Sequence, residues 1–269
     1  MPQAAIEPAQ GIHLMAKPVG PICNLDCSYC FYLEKEKLFP ERHRFLMSDE
    51  VLRAYIAQNI RNERSPEIVF TWQGGEPMLR GLDFYRRAVA YQQELAGGKT
   101  VRNALQTNGV LLNEEWCEFL AKSGFMVGIS LDGPREIHDA ARVDKQGRPS
   151  FDAVMSGIAL LKRYKVEFNV LVTVSNEVSR HPKRIYRFLK QNGLTHVQFN
   201  PVVERIARDE ERVKGLTFAQ PGSDNPSASG ARVSPHSVMP AAYGEFLVAI
   251  FDEWIRKDVG RIYVMNFEW

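Results

Sequence analysis

Residues 67–95 read EIVFTWQGGEPMLRGLDFYRRAVAYQQEL, a strand, a glycine-marked turn and a helix in succession. The run Glu67 to Gln73 is rich in β-branched and aromatic side chains and stops at Gly74-Gly75, which predicts a strand. Leu82 to Leu95 carries a helical pattern closed by Gly97-Gly98. The same unit recurs downstream. Val101 to Thr107 is strand-like and stops at Asn108-Gly109, and Glu114 to Lys122 is helical and stops at Gly124. Met126 to Leu131 is a strand halted by Asp132-Gly133-Pro134, and the helix Phe151 to Tyr164 leads into the strand Glu167 to Val174. The helix Pro182 to Gln191 leads into the strand His196 to Asn200. Upstream, Ile12 to Lys17 reads as a first strand, and Ser48 as the N-cap of a helix to about Asn62. Six strands alternating with helices predict an α/β protein with a parallel sheet, either a partial (β/α) barrel or an open doubly wound fold. In both, ligands gather beyond the carboxyl ends of the strands.

After about Glu204 the alternation fails. The stretch PGSDNPSASG, residues 221–230, reads as a mobile loop or linker within a break spanning 204–240. A helix from Ala241 to Lys257 and a strand-like run from Arg261 to Phe267 follow. The sequence stops at Trp269 inside an apolar pattern, which reads as a fragment of a longer protein. The domain reading is therefore a core of 1–240, with 241–269 starting a connection to something further.

A formal net charge of +2 gives no reason to expect nucleic acid or an anionic membrane as partner. MPQAAIEPAQ has neither the basic nor the apolar region of a signal peptide. The apolar run Phe246 to Phe251 is too short to cross a bilayer. The reading is a soluble, cytoplasmic protein.

Three of the four cysteines fall in Cys23-Asn-Leu-Asp-Cys27-Ser-Tyr-Cys30, while Cys117 stands in a helical pattern. This distribution points to a metal site in a reducing compartment and not to disulfides. Soft thiolates select iron–sulfur clusters, zinc or Cu(I). An electron-transfer cluster usually takes four cysteines, so three leave one iron open to a ligand. The alternative is structural zinc with a histidine as fourth ligand, for which His13 and His43 are the possible donors.

CxxxCxxC after a first strand, with Tyr29 before the last cysteine, resembles the radical S-adenosyl-L-methionine (SAM) superfamily. Gly74-Gly75-Glu76-Pro77 after the second strand matches that superfamily's GGEP element. Through CNLDCSYCFYLEK, MSDEVL, FTWQGGEPML, GLDFY, LQTNGVLL, EEWCEFL, GISLDGP, YRFLK and FDEW, residues 12 to 268 resemble the anaerobic sulfatase-maturating enzymes. The resemblance implies a partial (β/α)6 TIM-like barrel of the radical SAM type, a 4Fe-4S cluster and SAM cleaved to a 5′-deoxyadenosyl radical. It further implies oxidation of a serine or cysteine in an unfolded or nascent client sulfatase polypeptide to Cα-formylglycine. A flavodoxin or ferredoxin would supply electrons.

Residue by residue, the resemblance makes Cys23, Cys27 and Cys30 the cluster ligands. Tyr29 falls at the position near the adenine, and Gly74, Gly75 and Glu76 form the element for the SAM amino group. Ser130 and Arg142 match positions holding the ribose and carboxylate. Arg142 makes independent chemical sense, because a guanidinium recognises a carboxylate through two parallel hydrogen bonds. Tyr32, Gln73, Gln106 and Asn108 are expected to line the substrate pocket.

The sequence departs from the family in two places. The family's late Phe-Asp pair, proposed to supply the base, is here Phe267-Glu268, so the resemblance makes Glu268 the expected catalytic base, with a carboxylate moved by roughly an ångström through the extra methylene. No cysteine follows Cys117, so the C-terminal SPASM region with its auxiliary clusters is expected to be missing by truncation. Two other functions remain open at this point: a SPASM-type maturase modifying another peptide, for example by forming a thioether, and a non-enzymatic metal-binding regulatory protein.

Overall fold

A computed structural model of the chain describes residues 13–39, 45–218 and 232–268. Seven strands form one parallel sheet in strict chain order: β1 Met15–Ala16, β2 Glu67–Trp72, β3 Thr100–Thr107, β4 Phe125–Ser130, β5 Glu167–Val174, β6 His196–Pro201 and β7 Tyr263–Val264. A doubly wound sheet reverses its strand order at a switch point, and this one never does. The sheet is therefore a partial barrel, open between β1 and β7.

The helices are α1 Asp49–Asn62, α2 Leu82–Leu95, α3 Glu114–Lys122, α4 Arg135–His138, α5 Phe151–Arg163, α6 Pro182–Gln191, α7 Asp209–Arg212 and α8 Pro240–Lys257. Their starts follow local chemistry: Ser48 Oγ accepts from Val51 N, and Asn113 Oδ1 accepts from Trp116 N. Alternate strand residues pack beneath the helices, among them Phe70, Trp72, Leu105, Val127, Ile129, Val170, Val172 and Phe199, all buried. Trp72 sits edge-on to Phe84 and Tyr85 of α2, at 5.9 and 5.6 Å between centroids, and its indole N–H donates to Asn103 Oδ1.

The opposite set of strand residues, including Gln106, Ser130, Thr173 and Asn200, lines a cavity at the carboxyl ends of the strands. Gln106 pairs in register with Gly128 on β4. A Cβ at Gly128 would stand 2.1 Å from Gln106 Oε1, so glycine is what lets the long amide lie across the sheet.

Three expectations need correction. The strand predicted over 261–267 is only Tyr263–Val264, paired with His196–Val197. Phe267 N donates to Val264 O in a turn, and the Phe267 ring packs on Phe251 and Trp254 of α8, which draws the chain off the sheet edge. Residues 241–264 are not a connection: Phe246, Ile250, Trp254 and Val264 belong to the main core, and β7 extends the sheet. The break at 204–240 is largely built. Arg205 bridges Val233, Ile206 bridges Phe218, and the carboxylate of Glu34 accepts from Thr217 N and Phe218 N. PGSDNPSASG itself lies outside the described residues.

Candidate active site

The cysteine loop leaves β1 and is held on both flanks by main-chain contacts. On one side Gly75 N donates to Gly20 O and Glu76 N to Ile22 O, each at 2.8 Å. On the other, Asp26 N donates to Val143 O and Ser28 N to Ala141 O. The glycine pair was expected to bring the backbone close to a ligand. Its tightest approach is instead to the cysteine loop: a Cβ on Gly75 would lie 2.0 Å from Ile22 O, and one on Gly74 2.8 Å from Gly20 O. Gly74 and Gly75 also line the cavity, so one turn serves both purposes.

Cys23, Cys27 and Cys30 all line that cavity, of about 320 Å³. None is in a disulfide. Burial pushes the Cys23 thiol up to about 11 and Cys27 up to about 12, and it raises Cys30 as well. Among the described residues no three His, Cys, Asp or Glu side chains are gathered as for a single metal ion. His13, one of the candidate zinc donors, has its ring 3.0 Å from Thr71 Oγ1, and His43 lies outside the described residues. Three thiols spaced around a cavity edge fit a multi-iron cluster with one iron facing the cavity.

Tyr29, Ser130, Arg142, Tyr32, Gln73, Gln106 and Asn108 all line the same cavity. Gln106 Nε2 donates to Ser130 Oγ at 3.3 Å. Asn108 Nδ2 donates to Asn24 Oδ1 at 2.8 Å, with Cys23 Sγ 3.7 Å away. The Lys17 ammonium sits 4.8 Å over the Tyr32 ring.

Tyr29 and Arg142 are joined through a residue the sequence reading passed over. Asp132, wholly buried, accepts from Arg142 Nε and Nη2, from Thr173 N and from the Tyr29 hydroxyl. Arg142 also lies over the Tyr29 ring, 5.5 Å from its centroid. Asp132 N in turn donates to His138 Nδ1, His138 Nε2 is 3.0 Å from Ser150 Oγ, and Ser150 Oγ donates to Arg142 O. A polar signal existed, since Asp132 stands two residues beyond β4 at the carboxyl edge of the sheet, although the following Gly-Pro gives it the look of a turn residue.

Glu76 and Glu268 are placed differently from the expectation. The Glu76 side chain is wholly buried and does not line the cavity. Its Oε1 accepts from Met78 N and Thr107 Oγ1, and its Oε2 from Asn108 N, which ties the turn after β2 to the end of β3. Burial outweighs those donors and pushes its carboxyl up to about 7. Glu268 is exposed beyond the turn that follows β7 and is not among the cavity residues. The carboxylate that does line the cavity is Glu204, just after β6.

The sequence profile of the Radical SAM superfamily matches residues 18–189, which takes in the cysteine loop, the glycine turn, Asp132 and Arg142. This chain belongs to the radical SAM superfamily. The superfamily's 4Fe-4S cluster and SAM are the groups its three thiols and cavity fit. Among curated relatives, the radical SAM chain is 41% identical over 262 residues to a serine-type anaerobic sulfatase-maturating enzyme of Bacteroides thetaiotaomicron, covering 97% of this chain and 61% of that one. It is 34% identical over 244 residues to a cysteine-type enzyme of Clostridium perfringens strain 13, covering 90% and 60%. The solved structure of native anSMEcpe with bound AdoMet and Cp18Cys peptide superposes with a TM-score of 0.78 at 32% identity, covering 95% of this chain and 64% of that one. The radical SAM chain thus spans about three fifths of the length of the curated relatives it matches. Streptococcus suis SuiB, at 13% identity and a TM-score of 0.61, shares the fold. Among the described residues no helix is long and apolar enough to cross a membrane.

Proposed function

We propose that the chain is the SAM-cleaving portion of an anaerobic sulfatase-maturating enzyme, which oxidises a serine or cysteine of a client sulfatase to Cα-formylglycine. One observation carries the proposal. The three thiols, the Gly74-Gly75 turn, Ser130 and Arg142 line a single cavity in a chain 41% identical to a serine-type maturase.

Cys23, Cys27 and Cys30 would hold the cluster, and Gly74, Gly75, Ser130, Tyr29 and Arg142 would hold SAM. Bound together, the two groups supply reductive cleavage of SAM and a radical able to take hydrogen from an unactivated carbon. The chain's own contribution is positional. Arg142 is preset by Asp132 and Thr173, so it meets a carboxylate without first being ordered. Leu171 and Val202 give the cavity apolar wall that keeps water away. Tyr32, Gln73, Gln106 and Asn108 would face the substrate. Glu268 lies outside the cavity, so no proton transfer is assigned to it. We place the reaction in the cytoplasm, with a flavodoxin or ferredoxin as electron donor and a SPASM region downstream of the barrel.

The test is anaerobic reconstitution with iron, sulfide and reductant. It should yield 5′-deoxyadenosine from SAM, and in the full-length protein a two-hydrogen mass loss on a sulfatase-motif peptide. Identities of 37–41% to three serine-type relatives, against 33–35% to three cysteine-type ones, make serine peptides the first choice. SAM cleavage by the full-length protein without oxidation of either peptide would reassign it to another peptide modification. Stoichiometric zinc without iron would end the radical reading.

A further inference from the structure

The sheet runs from β1 to β7 without closing, so its hydrogen-bond ladder does not join the two margins. The cysteine loop leaves β1 at one margin, and residues 202–218 leave β6 beside the other. These two segments nevertheless meet. Val202 packs in one small apolar cluster with Leu25, Cys27 and Tyr29. Farther out, one oxygen of the Glu34 carboxylate accepts from Thr217 N at 2.6 Å and from Phe218 N at 3.1 Å. Lys37 Nζ donates to Gly215 O at 2.8 Å. Both side chains come from one turn of 3-10 helix, Lys35–Leu38, with Glu34 as its N-cap.

Each partner is held from behind. On the β6 side Ile206 bridges Phe218, Arg205 bridges Val233, and Ala207 N donates to Thr217 O. On the β1 side Lys35 N donates to Tyr32 O, and the Lys17 ammonium lies over the Tyr32 ring. Burial alone would raise the Glu34 carboxyl. The bonds from Thr217 and Phe218, with the Lys37 charge, hold it below the ordinary range, so the ionised form makes the join. Both ends of the join lead directly into the cavity wall. Cys30, Phe31 and Tyr32 precede Glu34, and Val202 and Glu204 stand on the other segment.

We propose that Glu34 is a positioning residue that latches the two margins of the open barrel together and so closes the cavity over the cluster held by Cys23, Cys27 and Cys30. Glu34 does not itself line the cavity and acts through the tail of the cysteine loop. Lys37 adds a second tie to the same opposing loop. A carboxylate accepting main-chain N–H bonds while half exposed to water favours the latched state by about a factor of ten. Without it, water and oxidants reach the cluster between the margins. Glu34 acts in this way whichever substrate the barrel receives, so the latch does not depend on the client proposed above.

The test uses the full chain, reconstituted anaerobically with iron and sulfide and loaded with SAM. Amide hydrogen exchange read by mass spectrometry is expected to show residues 31–39 and 215–218 losing protection together in E34A, by about tenfold, with α2 and β3 unchanged. E34Q, whose amide oxygen can still accept from Thr217 N, should keep most of that protection. K37M should show the same paired pattern at smaller size. The second readout is bleaching of the cluster's visible absorbance in air. An oxidant entering through the opened latch bleaches in proportion to the open population, so E34A should lose its cluster about tenfold faster while SAM affinity stays unchanged. Loosening of one segment alone, or unchanged bleaching once both have loosened, overturns the proposal. So does a fall in SAM affinity, which would make Glu34 part of the SAM site and not a latch. If E34A does not fold, K37M decides: paired loosening with faster bleaching upholds the latch, and no change in either overturns it.

Discussion

Arg142 meets Asp132 inside the protein, with Nε 2.9 Å from Oδ2 and Nη2 3.2 Å from Oδ1, and both side chains are screened from water. The pair joins two stretches that the chain separates: the cysteine loop, through the Tyr29 hydroxyl, and β5, through Thr173 N and Oγ1. Burial by itself would raise the Asp132 carboxyl. The Arg142 charge and hydrogen bonds, with His138 and Tyr29 adding to them, hold it below the usual range instead. The guanidinium proposed to hold SAM and the loop proposed to hold the cluster are therefore fixed to one anionic centre.

Removing that centre leaves a buried guanidinium unpaired, which costs about 3–5 kcal/mol. D132A is expected to lower stability by that order in urea denaturation. D132N keeps the shape and the acceptor for Thr173 N but not the charge, so it should cost less. Arg142 in D132N loses its preset direction, and SAM affinity of the reconstituted chain, read by calorimetry, should fall by tenfold or more. Unchanged SAM affinity in a folded D132N protein would refute the coupling.

Much of this was legible in the sequence. Ser48 caps its helix by a side-chain bond, as its place in the sequence predicts, and local punctuation of that kind survives any tertiary context. The spacing of Cys23, Cys27 and Cys30 predicts that one short loop gathers them, and the fold sets all three along one cavity. Where tertiary packing set the answer, the reading missed. Phe267 is drawn to α8 by Phe251 and Trp254, an attraction no strand pattern contains, and Glu268 goes with it. Glu76 follows two glycines and was read as facing a ligand, but its direction is decided by Thr107 and Asn108 some thirty residues on. Asp132 acquires meaning only from neighbours far along the chain, by being fully paired with Arg142, Thr173 and Tyr29.

His138 gives the protein a stability slope in acid. Desolvation pushes its imidazole down to about 4, and its Nδ1 must stay unprotonated to accept from Asp132 N. Unfolding releases it to protonate near the ordinary imidazole value of 6.5. Its contribution is therefore complete above about pH 6.5 and drains away as pH falls to about 4, a loss of about 3 kcal/mol.

Glu76 runs the other way. Its carboxyl rises from the ordinary glutamate value of 4.5 to about 7, so its contribution is complete below about pH 4.5 and is lost as pH rises to 7. The two windows overlap and the slopes oppose, so the unmodified chain should be nearly flat in stability between pH 4.5 and 6.5. H138N, whose amide oxygen replaces the Nδ1 acceptor, should expose a stability that falls with rising pH. E76Q should expose one that rises, after an initial cost of about 1–3 kcal/mol for placing an amide N–H against Asn108 N. Denaturant midpoints across that range decide it. Parallel slopes in both variants would rule out the assignment.

Gly75 and Gly244 separate a glycine the site depends on from one it does not. At Gly75 an added methyl would meet the main-chain oxygen of Ile22 at 2.0 Å, and backbone cannot swing aside as a side chain can. G75A must push the cysteine loop off the turn after β2, breaking the bonds from Gly75 N and Glu76 N to Gly20 O and Ile22 O. Iron bound after anaerobic reconstitution should drop well below that of the unmodified chain, because Cys23 follows Ile22 directly. Gly244 sits inside α8 with nothing within 4 Å of its Cβ position. G244A removes only the backbone freedom that glycine has in the unfolded chain, so it should stabilise by about 0.5–1 kcal/mol with iron content unchanged. Equal iron content in the two variants would show that the close approach at Gly75 does not position the thiols.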